Sequence, residues 1–120
     1  IMHKLIILIH EDCEAGRLVE HWPRFLRLAE QMPGLLRETT SWVDGVIYGK
    51  YGVQKIHELY FASRQALEEA MRSPVGEQAG QTLAWITEGR MTLLFAQHQQ
   101  EEADYLRRFH AKDDPGAEAG

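Results

Sequence analysis

The fold is decided by a short apolar run near the amino terminus, Leu5-Ile6-Ile7-Leu8-Ile9. Three of its five residues are β-branched and none is polar, so the run predicts a β-strand that is buried on both faces. Residues 91–97 form a second run of the same kind. Strands of this character belong inside a sheet that is covered on both sides.

The chain between these two runs predicts the remaining elements. Apolar residues at three- and four-residue spacing over 14–32 indicate an amphipathic helix, with Asp12 as a plausible cap and Pro23 as a kink or break. Residues 44–55 are glycine-rich and predict a turn-rich excursion in which a small hairpin is an open alternative. The other predicted elements are strands over 35–43 and 56–62, helices over 64–72 and 75–89, and a short helix in the tail after residue 98.

The order strand, helix, strand, strand, helix, strand predicts an α+β fold. It is the split β-α-β arrangement, which is ferredoxin-like and has a four-stranded antiparallel sheet. The helices can cover only one side of that sheet, although its first and last strands are apolar on both sides. We therefore expect a homodimer in which the open sheet faces of two copies pack together. The alternative is that the tail folds back over the open face.

Composition limits the classes of function. The net charge is −5 and no cluster of Lys and Arg occurs, so neither nucleic-acid binding nor membrane binding is expected. The single cysteine, Cys13, allows no internal disulfide, and the first apolar run is too short to span a bilayer. We expect a cytoplasmic protein with one domain over 2–98, followed by a tail over 99–120 whose residues 111–120 are disordered.

Three stretches together resemble the EthD family of dimeric α+β barrel proteins. They are residues 22–35, which end in Met32-Pro33-Gly34-Leu35, then Glu58-Leu59-Tyr60-Phe61-Ala62-Ser63, and Ser73-Pro74-Val75-Gly76. The resemblance implies a ferredoxin-like fold, a homodimer whose sheets form a barrel, and a cavity between sheet and helices. Many EthD-like sequences carry a histidine in the first helix at the position that is Phe25 here, so the chemistry of that histidine does not transfer to this chain.

The candidate catalytic residues are His10, Glu58 and Tyr60. His10 ends the first strand and has a side chain suited to general base catalysis. Strand alternation places Glu58 and Tyr60 together on the inter-sheet side. Arg37 is one candidate to pair with the carboxylate of Glu58 there. In the non-catalytic interpretation, His10 is exposed to solvent and Glu58 forms a structural ion pair at the dimer interface.

The candidate ligand-binding residues are Trp22, Phe25, Arg37 and Trp42. Three of them are aromatic, and aromatic rings often line pockets for apolar ligands. No histidine, cysteine or acidic residues recur at metal-ligand spacing, so neither a metal nor another cofactor is expected, although His98 is a conceivable haem ligand. The expected function is binding of a small apolar or aromatic metabolite. The resemblance to the EthD family implies that, if the protein is an enzyme, it is a cofactor-independent isomerase, cyclase or monooxygenase. The alternative is a non-catalytic accessory dimer of an oxygenase system.

Overall fold

The computed structural model describes residues 2–50 and 52–113. The elements follow the predicted order, and the tail contains the predicted short helix. They are β1 (Met2–His10), α1 (Ala15–Ala29), β2 (Arg37–Trp42), β3 (Val53–Phe61), α2 (Arg64–Arg72), α3 (Pro74–Thr87), β4 (Met91–His98) and α4 (Ala103–Asp113). No strand occurs in the described part of the loop between β2 and β3, and β3 begins at Val53, three residues earlier than predicted.

The four strands form one sheet in the order β2-β3-β1-β4, and every neighbouring pair is antiparallel. The apolar strand β1 therefore lies inside the sheet, as its sequence predicted. The second apolar strand, β4, forms one edge. This arrangement is the predicted ferredoxin-like α+β fold.

The two sides of the sheet differ in what covers them. On the helix side, Leu5, Ile7 and Ile9 are buried in a core formed with α1, α2 and α3. On the open face, Ile6 and Leu8 are only half-buried in the single chain. Apolar residues thus remain in contact with solvent on a face that no described helix of the same chain covers.

Helix α1 begins and continues differently from the prediction. Glu14, rather than Asp12, caps it, because its carboxylate accepts hydrogen bonds from the backbone N–H groups of Gly16 and Arg17 at 2.8 and 2.7 Å. The helix runs unbroken through Pro23. A proline leaves the carbonyl four residues earlier without its donor, and here that residue is Val19, which lies on the solvent side with 75% of its surface exposed.

Helices α2 and α3 meet at a tight corner that positions α3 over the sheet. Ser63 caps α2 as predicted, and Ser73 ends α2 while its hydroxyl accepts a hydrogen bond from the N–H of Gly76 at 3.1 Å. A Cβ on Gly76 would overlap the carbonyl oxygen of Ala70. Only glycine therefore fits where the first turn of α3 passes the end of α2.

The tail does not cover the open face of its own sheet. Residues 101–111 are exposed throughout, including Tyr105 and Phe109 of α4. The alternative in which the tail folds back is therefore wrong for the described residues. Residues 111–113 are helical and not disordered, and the rest of the predicted disorder, 114–120, lies outside the described residues. No helix in the described part of the chain has the length and apolar character needed to cross a bilayer.

Candidate functional site

The helix side of the sheet holds a fully buried histidine, His57 of β3. Its Nδ1 lies 2.8 Å from the hydroxyl of Thr40, the residue opposite it on β2. Its Nε2 lies 3.2 Å from Oε2 of Glu38, but the two groups are not aligned for a hydrogen bond. Both atoms are thus buried without an aligned hydrogen-bond partner among the described residues, which is costly for polar atoms inside a protein.

Aromatic rings from α1 enclose this histidine on the side of the helix. The ring centroids of Trp22 and Phe25 lie 5.2 and 5.9 Å from that of His57, both in edge-on orientation. The ammonium of Lys55, two residues before His57 on the same side of β3, lies 3.6 Å from the centroid of the Trp22 ring. We call His57, Lys55, Glu38, Thr40 and Trp22 the helix-side cluster.

Burial controls the charges of the helix-side cluster. It lowers the pKa of His57 to about 4, with a further contribution from the positive charge of Lys55. Burial also raises the pKa of Glu38, and the carboxylate of Glu30 adds to that effect. Both shifts favour the uncharged forms, so His57 and Glu38 are not a strong ion pair despite their short distance. Burial lowers the pKa of Lys55 to about 8.

An apolar cavity lies on the other side of Phe25, between the sheet and α1, α2 and α3. Its volume is about 40 Å³, and its walls include Leu59, Met71 and Leu83. A volume of this size holds a methyl group or a water molecule but not an aromatic ring. A ring-sized ligand could enter it only if Phe25 or a neighbouring side chain changed rotamer.

The open face carries a second polar group, the open-face cluster of Lys4, Thr39, Glu58 and Tyr60. The carboxylate of Glu58 accepts hydrogen bonds from Tyr60 at 2.9 Å and Thr39 at 3.2 Å, and its other oxygen lies 3.1 Å from Nζ of Lys4. Burial acts to raise the pKa of Glu58, but the hydrogen bonds from Lys4 and Tyr60 outweigh it, and the pKa lies below its usual value. Glu58 is therefore ionised and fully paired.

Arg37, a candidate partner of Glu58 from the sequence, does not pair with it. Its guanidinium lies 5.3 Å from the centroid of the Tyr60 ring and contacts Gln100 at 3.5 Å, while Lys4 makes the ion pair. The ring of His98 meets Tyr60 edge-on at 4.9 Å. These contacts explain why Tyr60 is only 4% exposed although it lies on the open face.

His10 lies at the other end of the open face. Its Nε2 is 2.7 Å from the hydroxyl of Thr92 on β4. Glu58 pairs with Ile6, four residues along β1 from His10, which corresponds to about 13 Å. His10 and Glu58 therefore belong to different parts of the face.

The sheet separates the candidate catalytic residues from the candidate walls. Trp22, Phe25 and Trp42 lie on the helix side. The ring of Trp42 is exposed, and its centroid is 5.7 Å from the ammonium of Lys55. Glu58 and Tyr60 lie on the open face. A single site that combines all of these groups does not form within one chain.

Sequence reasoning missed the helix-side cluster as a site. Alternation correctly assigned His57 to the helix side, but a histidine among core residues gave no sign that Thr40 and Glu38 would face it. The signal in the sequence was that two polar residues, Lys55 and His57, share a strand face whose next residues, Leu59 and Phe61, are apolar. Within the described residues, no group of three or more His, Cys, Asp and Glu side chains is arranged to hold a metal ion.

Comparison of the sequence with known proteins finds a distant relative. No family model matches the sequence. A curated relative, an uncharacterized 11.0 kDa protein in the thcB-thcC intergenic region of Rhodococcus erythropolis, is 23% identical over 99 residues, which cover 82% of this chain and 96% of that protein.

Solved structures with a similar fold include an EthD family protein, a dimeric ferredoxin-like protein and an oxygenase. An EthD family protein from Bacillus halodurans has a TM-score of 0.75 and 23% identity over 82% of this chain and 100% of that one. A dimeric ferredoxin-like protein of unknown function from Jannaschia has a TM-score of 0.63 and 16% identity over 82% of this chain and 100% of that one. A mutant of SnoaB, a cofactor-independent oxygenase from Streptomyces nogalater, has a TM-score of 0.64 and 11% identity, and the match covers 85% of this chain and 97% of that one. The chain therefore has the four-stranded ferredoxin-like fold of an EthD family protein, as its sequence resemblance predicted.

Proposed function

We propose that this protein is an EthD-like homodimer that binds a small apolar or aromatic molecule on the helix side of its sheet, beside His57. The observation that carries the proposal is the fully buried imidazole of His57. One of its nitrogens is held by Thr40, the other has no aligned hydrogen bond, and two aromatic rings pack against it. A ligand with a hydroxyl or carbonyl group would supply the missing hydrogen bond once Phe25 or a neighbouring side chain changes rotamer. Its ring would pack with the aromatic side chains on this side of the sheet, which are those of Trp22, Phe25 and Trp42.

The homodimer part of the proposal is supported by the open face. Ile6, Leu8 and Ile56 are half-buried there and Leu94 is 43% exposed, so a second copy packed face to face would bury them. Related structures, including the Jannaschia protein, are described as dimeric. We propose that the open-face cluster stabilises this interface and that Glu58 and Tyr60 have a structural role, because their polar atoms are already paired.

The reaction we propose is cofactor-independent proton transfer or oxygenation of the bound molecule. SnoaB, an oxygenase that needs no cofactor, has the same fold. In such chemistry a protein group removes a proton from the ligand, and the resulting carbanion or enolate reacts further. His57 takes this role, since its uncharged imidazole lies against Phe25, the position where the family resemblance would expect a histidine.

A second candidate is a non-catalytic ligand-binding or accessory dimer. One observation favours it, because burial lowers the pKa of His57 to about 4 and an imidazole with that pKa is a weak base. Such a group can orient a ligand by hydrogen bonding without removing its proton.

One experiment separates these functions. The protein is titrated with 1-naphthol by calorimetry, and oxygen uptake is followed with anthrone, an aromatic ketone whose methylene group loses a proton and then reacts with O₂. Catalysis predicts uptake that is lost in His57→Gln and kept in the control His110→Gln, a change at an exposed histidine of α4. Naphthol binding without uptake supports the accessory function, and the absence of both contradicts the proposal.

A further inference from the structure

The helix side of the sheet buries a lysine that lacks a counter-ion. Lys55 is only 7% exposed, and its ammonium lies over the ring of Trp22 at 3.6 Å and at 5.7 Å from that of Trp42. Among the described residues its side chain makes no ion pair and no hydrogen bond. A lysine this buried is normally paired with a carboxylate.

The surroundings of Lys55 do not replace that carboxylate. The attraction of a cation to an aromatic ring is weaker than the cost of removing most of the water around an ammonium. The lowered pKa of Lys55, about 8, reflects this imbalance. Glu38 lies on the same side, but burial raises its pKa, as expected for a carboxylate without a neighbouring cation.

We infer that Lys55 binds the anionic group of the ligand, so that the ligands of this protein are aromatic carboxylates or phenolates. This inference rests on the function proposed above and narrows its ligand class. The anion pairs with the ammonium, and the ring of the ligand lies against Trp42, whose own ring is 71% exposed and available for stacking. His57 lies on the same side of β3, close enough to Lys55 for the charge of the lysine to lower its pKa.

Two ligands that differ only in charge test the inference. Calorimetry at pH 7 compares 1-naphthoate with 1-naphthamide, its neutral isostere. We expect the wild-type protein to bind 1-naphthoate at least about tenfold more tightly. Lys55→Met removes this preference but keeps the affinity for 1-naphthamide, and Lys50→Met, a change at an exposed lysine in the loop before β3, leaves the preference unchanged.

A pH series on the wild-type protein provides a test that does not depend on a variant. The preference for 1-naphthoate should fall as the pH rises from 7 to about 10.5, because Lys55 loses its proton while His57 stays neutral. Equal affinities for the two compounds in the wild-type protein would overturn the inference but leave the proposed function standing. Failure of both compounds to bind would overturn both, and a preference that persists in Lys55→Met would overturn the inference alone.

Discussion

The buried His57 should make the protein lose stability as the pH falls below 6.5. Its pKa is lowered from 6.5 to about 4 in the folded state, so the unfolded chain binds a proton between these two values while the folded chain does not. Stability therefore rises with pH across this window and falls when the pH is lowered. The difference amounts to about 2 kcal/mol at pH 5 and about 3 kcal/mol at pH 4, relative to pH 7.5.

Urea unfolding at pH 7.5 and pH 5 measures this loss, with the protein concentration held constant because the protein is proposed to be a dimer. His57→Gln cannot take up the proton, so its free energy of unfolding should fall by about 2 kcal/mol less than that of the wild-type protein over this interval. His110→Gln, a change at an exposed histidine, should behave like the wild type. An equal loss in His57→Gln and the wild-type protein would refute the reasoning.

Three further predictions concern the interface and the packing. Glu58→Gln should lower the free energy of unfolding by about 1–3 kcal/mol at pH 7. Because the pKa of Glu58 is lowered in the folded state, this penalty should shrink as the pH falls from the usual carboxyl range through the lowered pKa. A penalty that does not shrink in urea unfolding at the lowest pH at which the protein stays folded would contradict this. Gly76→Ala should lower the free energy of unfolding by more than about 2 kcal/mol, because the added Cβ overlaps the end of α2. In Gly80→Ala, in the same helix, the added Cβ meets no atom within 4 Å, so this change should be neutral or stabilising. Thermal unfolding that ranks the two variants the other way would refute the packing argument. Leu94→Lys on the open face should convert the dimer to a monomer in analytical ultracentrifugation. Leu93→Lys, a change on the helix side at a residue of similar exposure, should leave the dimer intact. A dimer that survives the change at Leu94 would exclude the face-to-face interface.

The sheet could be predicted because strand alternation has a fixed period. The run over 5–9 identified an interior strand, and alternation alone placed Glu58 and Tyr60 on the opposite side from His57. The capping of α1 by Glu14 was not predictable to the residue, since Asp12 and Glu14 are both acidic and the choice depends on where the turn after β1 ends. The unbroken path through Pro23 depends on which side of the helix faces solvent, which is a property of the packed fold.

The partners within each site could not be predicted, because they depend on strand register. Lys4 meets Glu58 since β1 and β3 pair with Lys4 opposite Tyr60, and the local sequence does not encode that register. Thr40 meets His57 for the same reason, through the pairing of β2 with β3. Aromatic composition indicated a ligand site but not the side of the sheet on which its polar groups lie.

The two-sided arrangement is the central claim, since we assign ligand binding to the helix side and copy-to-copy pairing to the open face. Histidines on the two sides provide direct reporters, with His57 on the helix side and His10 and His98 on the open face. The measurement is NMR of the histidine rings during titration with 1-naphthol, with His57 assigned from the His57→Gln spectrum. The account predicts that the ring signals of His57 shift while those of His10 and His98 stay in place, and shifts confined to His10 or His98 would contradict it.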